Sequence, residues 1–259
     1  MRFQEWNDPV SMLGRYSEAI CTMPSDVLSA ERLFRDFTLF EDVRICFAPM
    51  GGMVSTAKVV VVGITPGLSQ AQIAFASARR CLLAGESPTN TLAAAEKECS
   101  FAGVMRTNLC RMMDDLGVAA HLGITSTTAF FTSDDSGSVC NSTSAIRYPV
   151  FVRGKNFTGH SPDMLKTRVL RSALETVLAA ELAPFANALI VPCGDSVTRA
   201  VGHLKEMGLL QNHFVLEGFP HASGANGHRK RQFAERQAAM RTMVGRWAER
   251  QAPSPVISE

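Results

Sequence analysis

Residues 59–67 read Val-Val-Val-Val-Gly-Ile-Thr-Pro-Gly and join a short apolar run to a tight turn. Four consecutive valines predict a strand that is buried on both faces, as in a parallel sheet. Three similar runs, at residues 129–132, 188–191 and 214–216, predict three more strands. Helical periodicity between the runs predicts a three-layer α/β/α fold around a central, mainly parallel four-stranded sheet.

Helices are predicted where apolar residues recur with a period near 3.6. Residues 27–37 form one candidate, with Ser25 and Asp26 as capping residues. Further helices are expected from about residue 68 and at 105–116, 163–182, 196–207 and 230–246. No linker divides the chain, so we expect a single domain over residues 1–259, with a helical extension over 1–45 and a flexible tail over 248–259.

Composition excludes several classes of protein. The 259 residues are 46% hydrophobic and 19% charged, as in ordinary globular proteins. Since no apolar run could span a membrane and the first residues do not resemble a signal peptide, we expect a cytoplasmic protein, which we take to be a monomer. Seven scattered cysteines without a C-x-x-C pair predict neither disulfides nor a metal site, and no cofactor is expected.

Two loops carry candidate chemistry. The glycine-proline loop, residues 63–67, follows the first predicted strand and has amides that could hold an anion. The histidine loop, residues 219–228, reads Phe-Pro-His-Ala-Ser-Gly-Ala-Asn-Gly-His and follows the last predicted strand. Because ligands of parallel sheets bind at the carboxyl ends of the strands, both loops are expected at one site. The basic cluster that begins at Arg229 and Lys230 favours DNA as partner, although the net charge is only +2.

Together the two loops resemble the paired motifs of the uracil-DNA glycosylase superfamily. The likeness extends to Ser100-Phe101-Ala102-Gly103, to residues 130–133 and to the strand that ends at Gly194, and covers roughly residues 58–246. It implies a monofunctional DNA glycosylase, which flips a base out of DNA and hydrolyses its N-glycosidic bond to leave an abasic site.

The resemblance also implies a role for each matching residue. His221 would hydrogen-bond the departing base, and Phe101 would stack on it. Gly63, Ile64, Thr65, Pro66 and Gly67 would surround the base and the attacking water. Ser223 would contact a phosphate, and Gly224, Ala225 and Asn226 would enter the duplex. His228, Arg229 and Lys230 would lie along the DNA backbone.

The sequence departs from the family at three positions. Thr65 stands where many members carry an Asp or Asn that positions water, so Asp134 and Asp135 are candidates for a second base. Ser133 stands where uracil-selective members often carry a base-reading Asn, and Asn156 is a candidate replacement. Gly67 stands where some strict uracil enzymes carry a bulky aromatic residue that blocks a substituent at C5 of the base. A C5-modified pyrimidine, removed in repair or in defence against phage, is therefore a candidate substrate.

Other functions remain open. The Thr65 substitution allows a DNA-binding module that has kept the fold and lost hydrolysis. Cys193, in the turn after residues 188–191, would be the nucleophile of a small-molecule hydrolase. The cysteine spacing does not suit the iron–sulfur cluster of some family members. No lysine in either loop suits a Schiff base, so strand cleavage is not expected.

Overall fold

The computed structural model describes residues 3–23, 28–132 and 139–251. Within these ranges no helix is long and apolar enough to cross a membrane. The helices are α1 (Pro9–Cys21), α2 (Ala30–Asp36), α3 (Leu68–Leu83), α4 (Pro88–Cys99), α5 (Val104–Asp115), α6 (Val118–Leu122), α7 (Ala129–Thr132), α8 (Arg168–Ala173), α9 (Ala179–Leu182), α10 (Asp195–Glu206) and α11 (Arg229–Gln251). The strands are β1 (Thr38–Phe40), β2 (Arg44–Cys46), β3 (Val59–Gly63), β4 (Cys140–Ser144), β5 (Val150–Val152), β6 (Lys155–Asn156), β7 (Leu189–Pro192) and β8 (Phe214–Val215).

The central sheet has four parallel strands in the order β4-β3-β7-β8. Val59 pairs with Cys140 on one side and with Leu189 on the other, and Leu189 pairs with Phe214. Three of the four predicted strands are confirmed, and the mainly parallel four-stranded sheet is confirmed with them. The carboxyl ends of all four strands therefore lie along one edge.

Both faces of this sheet are buried. Val60, Val62 and Ile190 belong to one apolar cluster, whereas Val59 and Val61 belong to another. Successive side chains of a strand point to opposite faces, so a run of valines supplies both clusters at once. The first cluster includes side chains of α1, α3, α8 and α10, and the second includes side chains of α5 and α11.

A second, antiparallel sheet has the order β1-β2-β5-β6 and was not predicted. Its first two strands lie at residues 38–46, so the prediction of a helical segment over 1–45 misses them. The helix predicted there at 27–37 runs only over α2, because the Ser29 hydroxyl accepts a hydrogen bond from the Arg32 amide and caps the helix. Ser25 and Asp26 lie outside the described residues.

The predicted strand at residues 129–132 is wrong, because this run forms the short helix α7. The Asp114 carboxylate accepts a hydrogen bond from the Thr127 amide at 2.8 Å, and the Phe130 amide then bonds back to the Thr127 carbonyl at 3.1 Å. The fourth strand is β4 (Cys140–Ser144), in a stretch where the sequence pattern predicts no strand. Its polar sequence Cys-Asn-Ser-Thr-Ser is tolerated because β4 is an edge strand.

The helix predicted over 163–182 begins only at Arg168. Asp163 accepts hydrogen bonds from the amides of Leu165 and Lys166, which forms a turn before the helix. A π-helical segment, Leu174–Leu178, separates α8 from α9. The predicted start of α3 and both ends of α5 and α10 agree to within one residue. Helix α11 continues to Gln251, so the first residues of the tail predicted over 248–259 are helical.

Candidate active site

The glycine-proline loop leaves the carboxyl end of β3 and is fixed to the chain that follows β4. The carbonyls of Gly63 and Ile64 accept hydrogen bonds from the amides of Ala145 and Ile146 at 2.8 and 3.0 Å. The Thr65 hydroxyl donates to the Tyr148 carbonyl at 2.7 Å. The hydroxyl hydrogen of Thr65 is thus already used within the protein, while its oxygen can still accept one.

The N-terminus of α3 is capped by side chains. The Gly67 amide donates to Gln70 Oε1 at 3.1 Å, and the Leu68 amide donates to Asn156 Oδ1 at 3.0 Å. These two amides are therefore not free for the anion that the sequence suggested. A Cβ built on Gly67 would lie 3.2 Å from Asn156 Nδ2, so the amide of Asn156 occupies the space above this glycine.

Phe101 packs against the end of β3. A Cβ built on Gly63 would lie 3.5 Å from Phe101 Cζ and 3.2 Å from Ser144 Oγ, so both side chains pack closely over this glycine. Phe101 is buried and has a left-handed backbone with φ of 52°. Such a conformation is costly for an aromatic residue, and residues of this kind concentrate at functional sites. The loop after β3, the end of β4 and Phe101 thus meet at one point.

His221 lies on the same edge of the sheet, after β8. A Cβ built on Gly194, just after β7, would lie 3.2 Å from His221 Cβ. The Ser223 amide donates a hydrogen bond to His221 Nδ1 at 3.3 Å. Burial lowers the pKa of His221, and the charge of the nearby His160 lowers it further. Both effects favour the neutral ring, in which Nδ1 accepts and Nε2 carries the proton as a hydrogen-bond donor.

A network of polar side chains holds the histidine loop in place. Asn226 Nδ2 donates to the His221 carbonyl at 3.1 Å, and Asn108 Nδ2 donates to the Ala222 carbonyl at 2.9 Å. Arg229 donates to the Ser223 carbonyl at 2.7 Å and to Asn108 Oδ1 at 3.1 Å. Asn226 and Arg229, which the sequence analysis expects to contact DNA, therefore also stabilise the conformation of the histidine loop.

The tip of the histidine loop is exposed. The Ser223 hydroxyl accepts from the Ala225 amide at 3.1 Å and keeps its own hydrogen for a ligand. Val104, at the start of α5, is 68% exposed, and its Cγ1 would lie 3.6 Å from a Cβ built on Gly224. This exposed apolar side chain was missed by sequence reasoning, since Val104 reads as an ordinary first residue of a helix.

His160 is a second residue that the sequence analysis did not identify. It follows Gly159, where a Cβ would lie 2.5 Å from Ser196 Oγ and 3.2 Å from Ile64 Cγ2. Glycine at this position lets the turn pass between the glycine-proline loop and the first turn of α10, and so brings His160 near His221. A single histidine in a loop gives no sequence signal of such a pairing.

Three predicted site residues, Ser133, Asp134 and Asp135, lie outside the described residues. The choice of Ser133 as the base-reading position depended on a strand at residues 129–132, which is a helix. The strand beside β3 is β4, and the residue at its carboxyl end is Ser144, which pairs with Gly63. Ser144 therefore lies at the carboxyl end of the strand beside β3, where Ser133 was expected.

Cys193 is poorly suited to be a nucleophile. It is buried, and burial raises the pKa of its thiol far above the usual range. The reactive thiolate is therefore disfavoured, which argues against the small-molecule hydrolase. Among the described residues, no three His, Cys, Asp or Glu side chains are grouped closely enough to hold a metal ion.

Comparison with known proteins identifies a relative. No protein-family model matches the chain. The chain is 31% identical over 242 residues to the uncharacterized protein YoxB of Bacillus subtilis (strain 168), and the match covers 92% of this chain and 94% of that protein. Similarity at this level over nearly the full length of both proteins indicates common descent. The chain therefore belongs to the same protein family as YoxB.

Proposed function

We propose that the protein is a monofunctional DNA glycosylase that hydrolyses the N-glycosidic bond of a flipped pyrimidine. The observation that carries this proposal is the position of His221 at the carboxyl edge of the sheet, where burial lowers its pKa and the Ser223 amide donates to its Nδ1. As the bond from the base to C1′ of the sugar breaks, its electron pair moves onto the base. A fixed Nε2–H donor stabilises the negative charge that develops there.

Phe101, Ser144 and Asn156 are the proposed walls of the base pocket. The Phe101 ring, at the end of β3, offers an aromatic face for stacking. The Asn156 amide, above Gly67, offers an Nδ2 donor near the position where a C5 substituent would come. A polar substituent such as a hydroxymethyl group would accept this hydrogen bond, whereas plain uracil would leave it unused. This favours a C5-modified pyrimidine, in repair or in defence against phage.

Water attack requires little help once the base has left. If the sugar passes through an oxocarbenium-like state, as in other glycosidic cleavages, water adds readily to C1′. Thr65 Oγ1 can accept a hydrogen from this water and orient it, but its own hydrogen is held by the Tyr148 carbonyl. Asp134 and Asp135 are the proposed bases that take up the proton that the water loses.

DNA binding is proposed along the exposed side of the histidine loop. The Ser223 hydroxyl and the exposed side chains of His228 and Lys230 would contact phosphates. Val104 and Gly224 together would form the wedge that enters the duplex where the base leaves, since apolar side chains unstack neighbouring bases. Extrusion of a base costs a few kcal/mol, which a wedge helps to offset.

We further propose the three-layer α/β/α arrangement for the central sheet and its helices. The two apolar clusters on opposite faces of the sheet support it. In this arrangement the candidate site lies at the carboxyl edge of the sheet, which suits a substrate strand that passes over that edge.

A DNA-binding module without hydrolysis is the second candidate function. The Thr65 hydroxyl favours this function. Its hydrogen bond to the Tyr148 carbonyl holds the loop in place, so Thr65 has a structural role that does not require catalysis. A protein that only binds DNA would not need a neutral histidine as hydrogen-bond donor at this edge of the sheet.

Abasic-site formation distinguishes the two functions. The protein is incubated with oligonucleotides that contain uracil, hypoxanthine or 5-hydroxymethyluracil, and with phage DNA that contains glucosylated hydroxymethylcytosine, and the products are then treated with alkali. Alkali-labile sites that are lost with His221→Ala, but not with the exposed control His121→Ala, support the glycosylase. DNA binding without abasic sites on any substrate supports the binding module.

A further inference from the structure

A cavity of about 580 Å³ lies at the edge of the central sheet that is opposite the candidate active site. Asn187 and His213, which contribute to its lining, come shortly before β7 and β8, so the cavity is at the amino ends of these strands. Arg246 near the end of α11 lines it too, and is about 25 Å along the helix axis from Arg229. Cavities of this size bind small molecules in other proteins. This one is separate from the candidate active site.

Two arginines and one glutamate line the cavity, which leaves it a net positive charge. Arg246 and Arg250 are four residues apart and therefore lie on one face of α11. Among the described residues, neither guanidinium has an ion-pair or hydrogen-bonding partner. By contrast, Arg231 and Arg236 of the same helix contact Glu235 and Asp195. Two free guanidiniums side by side match the oxygens of a phosphate, which arginine binds with paired hydrogen bonds.

The other lining residues provide polar and aromatic contacts. Asn187 and Asn212 both have left-handed backbones, and the Asn187 amide donates to the Asn212 carbonyl at 3.0 Å, which joins the two loops. Phe214 is half-buried and offers an aromatic ring, while the exposed Glu249 offers a hydrogen-bond acceptor. His213 Nε2 donates to the Leu182 carbonyl at 3.0 Å, and its Nδ1 is buried without a hydrogen-bond partner among the described residues.

We propose that this cavity binds a small phosphate-bearing ligand of mononucleotide size. Arg246 and Arg250 hold the phosphate, Glu249 accepts a hydrogen bond from a sugar hydroxyl, and the Phe214 ring packs against the base. The side-chain amides of Asn187 and Asn212 supply further hydrogen bonds. The proposal does not depend on the glycosylase, because it uses none of the residues of the candidate active site.

Titration calorimetry with dTMP tests the proposal, and the unphosphorylated nucleoside thymidine is the matched probe. The measurement uses the full chain and also His221→Ala, so that binding at the candidate active site is recognised. We expect saturable dTMP binding in both proteins and binding of thymidine that is weaker by about tenfold or more. The double variant Arg246→Gln/Arg250→Gln should lose dTMP binding, whereas Arg168→Gln, an exposed arginine on α8, should keep it.

Three results would overturn the proposal. The first is no dTMP binding to either protein, and the second is equal binding to the double variant, whose folding is checked by its melting temperature. The third concerns the source of the phosphate. If a short duplex oligonucleotide loses affinity in the double variant while dTMP does not bind, the arginines contact the DNA backbone and the cavity is not a small-molecule site.

Discussion

His221 is the residue on which the chemistry depends, and its protonation should set the acid limit of activity. Its pKa is lowered by burial and then by the charge of His160, so the neutral donor persists to a lower pH than for an exposed histidine. Protonation would add a hydrogen at Nδ1, where the Ser223 amide now donates. Removing the charge of His160 should therefore raise the pKa of His221.

The variant His160→Gln tests this coupling. We expect the acid limb of the rate-against-pH profile to move to higher pH, with the plateau rate at neutral pH unchanged. Single-turnover rates of base excision across the acid range are the measurement, and the exposed His121→Gln is the control, which should leave the profile in place. An unchanged acid limb in His160→Gln would show that the two histidines do not interact.

Asn156 should set the preference for a modified base. The variant Asn156→Asp keeps an oxygen that can cap the Leu68 amide and removes the Nδ2 donor above Gly67. We expect excision of 5-formyluracil, whose aldehyde oxygen can only accept a hydrogen bond, to fall about tenfold relative to uracil, because the hydrogen bond from Nδ2 is lost. Competition between the two bases in one reaction measures this ratio. An unchanged melting temperature of the variant would show that the hydrogen bond that caps α3 is kept. An unchanged ratio would remove Asn156 from the base pocket.

The start of α5 should help to open the duplex. Val104 exposes 68% of its surface beside the tip of the histidine loop, where Gly224 has no side chain of its own. The variant Val104→Ala should slow excision from double-stranded DNA by about tenfold and affect single-stranded substrate much less, since only the duplex requires extrusion.

The control for this prediction is Leu83→Ala, which removes an exposed apolar side chain, 58% accessible, from the end of α3. Its rates on both substrates should match those of the native protein. Equal slowing of Val104→Ala on single and double strands would indicate that Val104 does not act as a wedge.

Elements with strong local signals could be predicted from the sequence. The valine run of β3, the apolar run of β7 and the basic helix α11 agree closely with expectation. The strand β4 could not be predicted, because its polar residues are fixed by pairing with β3 rather than by their own preference. The apolar run of α7 reads as a strand, yet capping by Asp114 makes it helical.

The candidate site was predictable only in part, for the same reason. His221, Phe101 and the glycine-proline loop stand next to elements that the sequence identifies. His160 and Ser144 reach the site through tertiary contacts, and no local pattern marks them. Residues that join a site from distant loops can therefore be identified only in the folded structure.

A buried ion pair connects distant parts of the whole molecule. Arg147 contacts Glu181 at 2.9 Å, with only 6% and 12% of the two side chains exposed. Arg147 also donates to the carbonyl of Trp6, and Glu181 accepts from the Thr143 hydroxyl at 2.9 Å. The N-terminal segment, the end of β4 and α9 thus share one polar network. The apolar core around it extends from Trp6 to Val215.

Removing one partner of this pair should destabilise the whole fold. We expect Glu181→Ala to lower the free energy of unfolding by about 3–5 kcal/mol, because Arg147 is left buried and unpaired. Denaturant unfolding measures the loss. The exposed pair Arg15–Glu5, at 3.3 Å, provides the control, and Glu5→Ala should cost at most about 1 kcal/mol. Equal losses in the two variants would mean that burial of the pair has no structural importance.

Direct detection of the released base tests the central claim. DNA that contains 5-hydroxymethyluracil is incubated with the protein, and the small-molecule fraction is analysed by mass spectrometry. We expect free 5-hydroxymethyluracil and an intact strand with an abasic site, with a rate about 100- to 1000-fold lower for His221→Ala. Tight binding of DNA without release of this base, of uracil or of a glucosylated cytosine would contradict this claim.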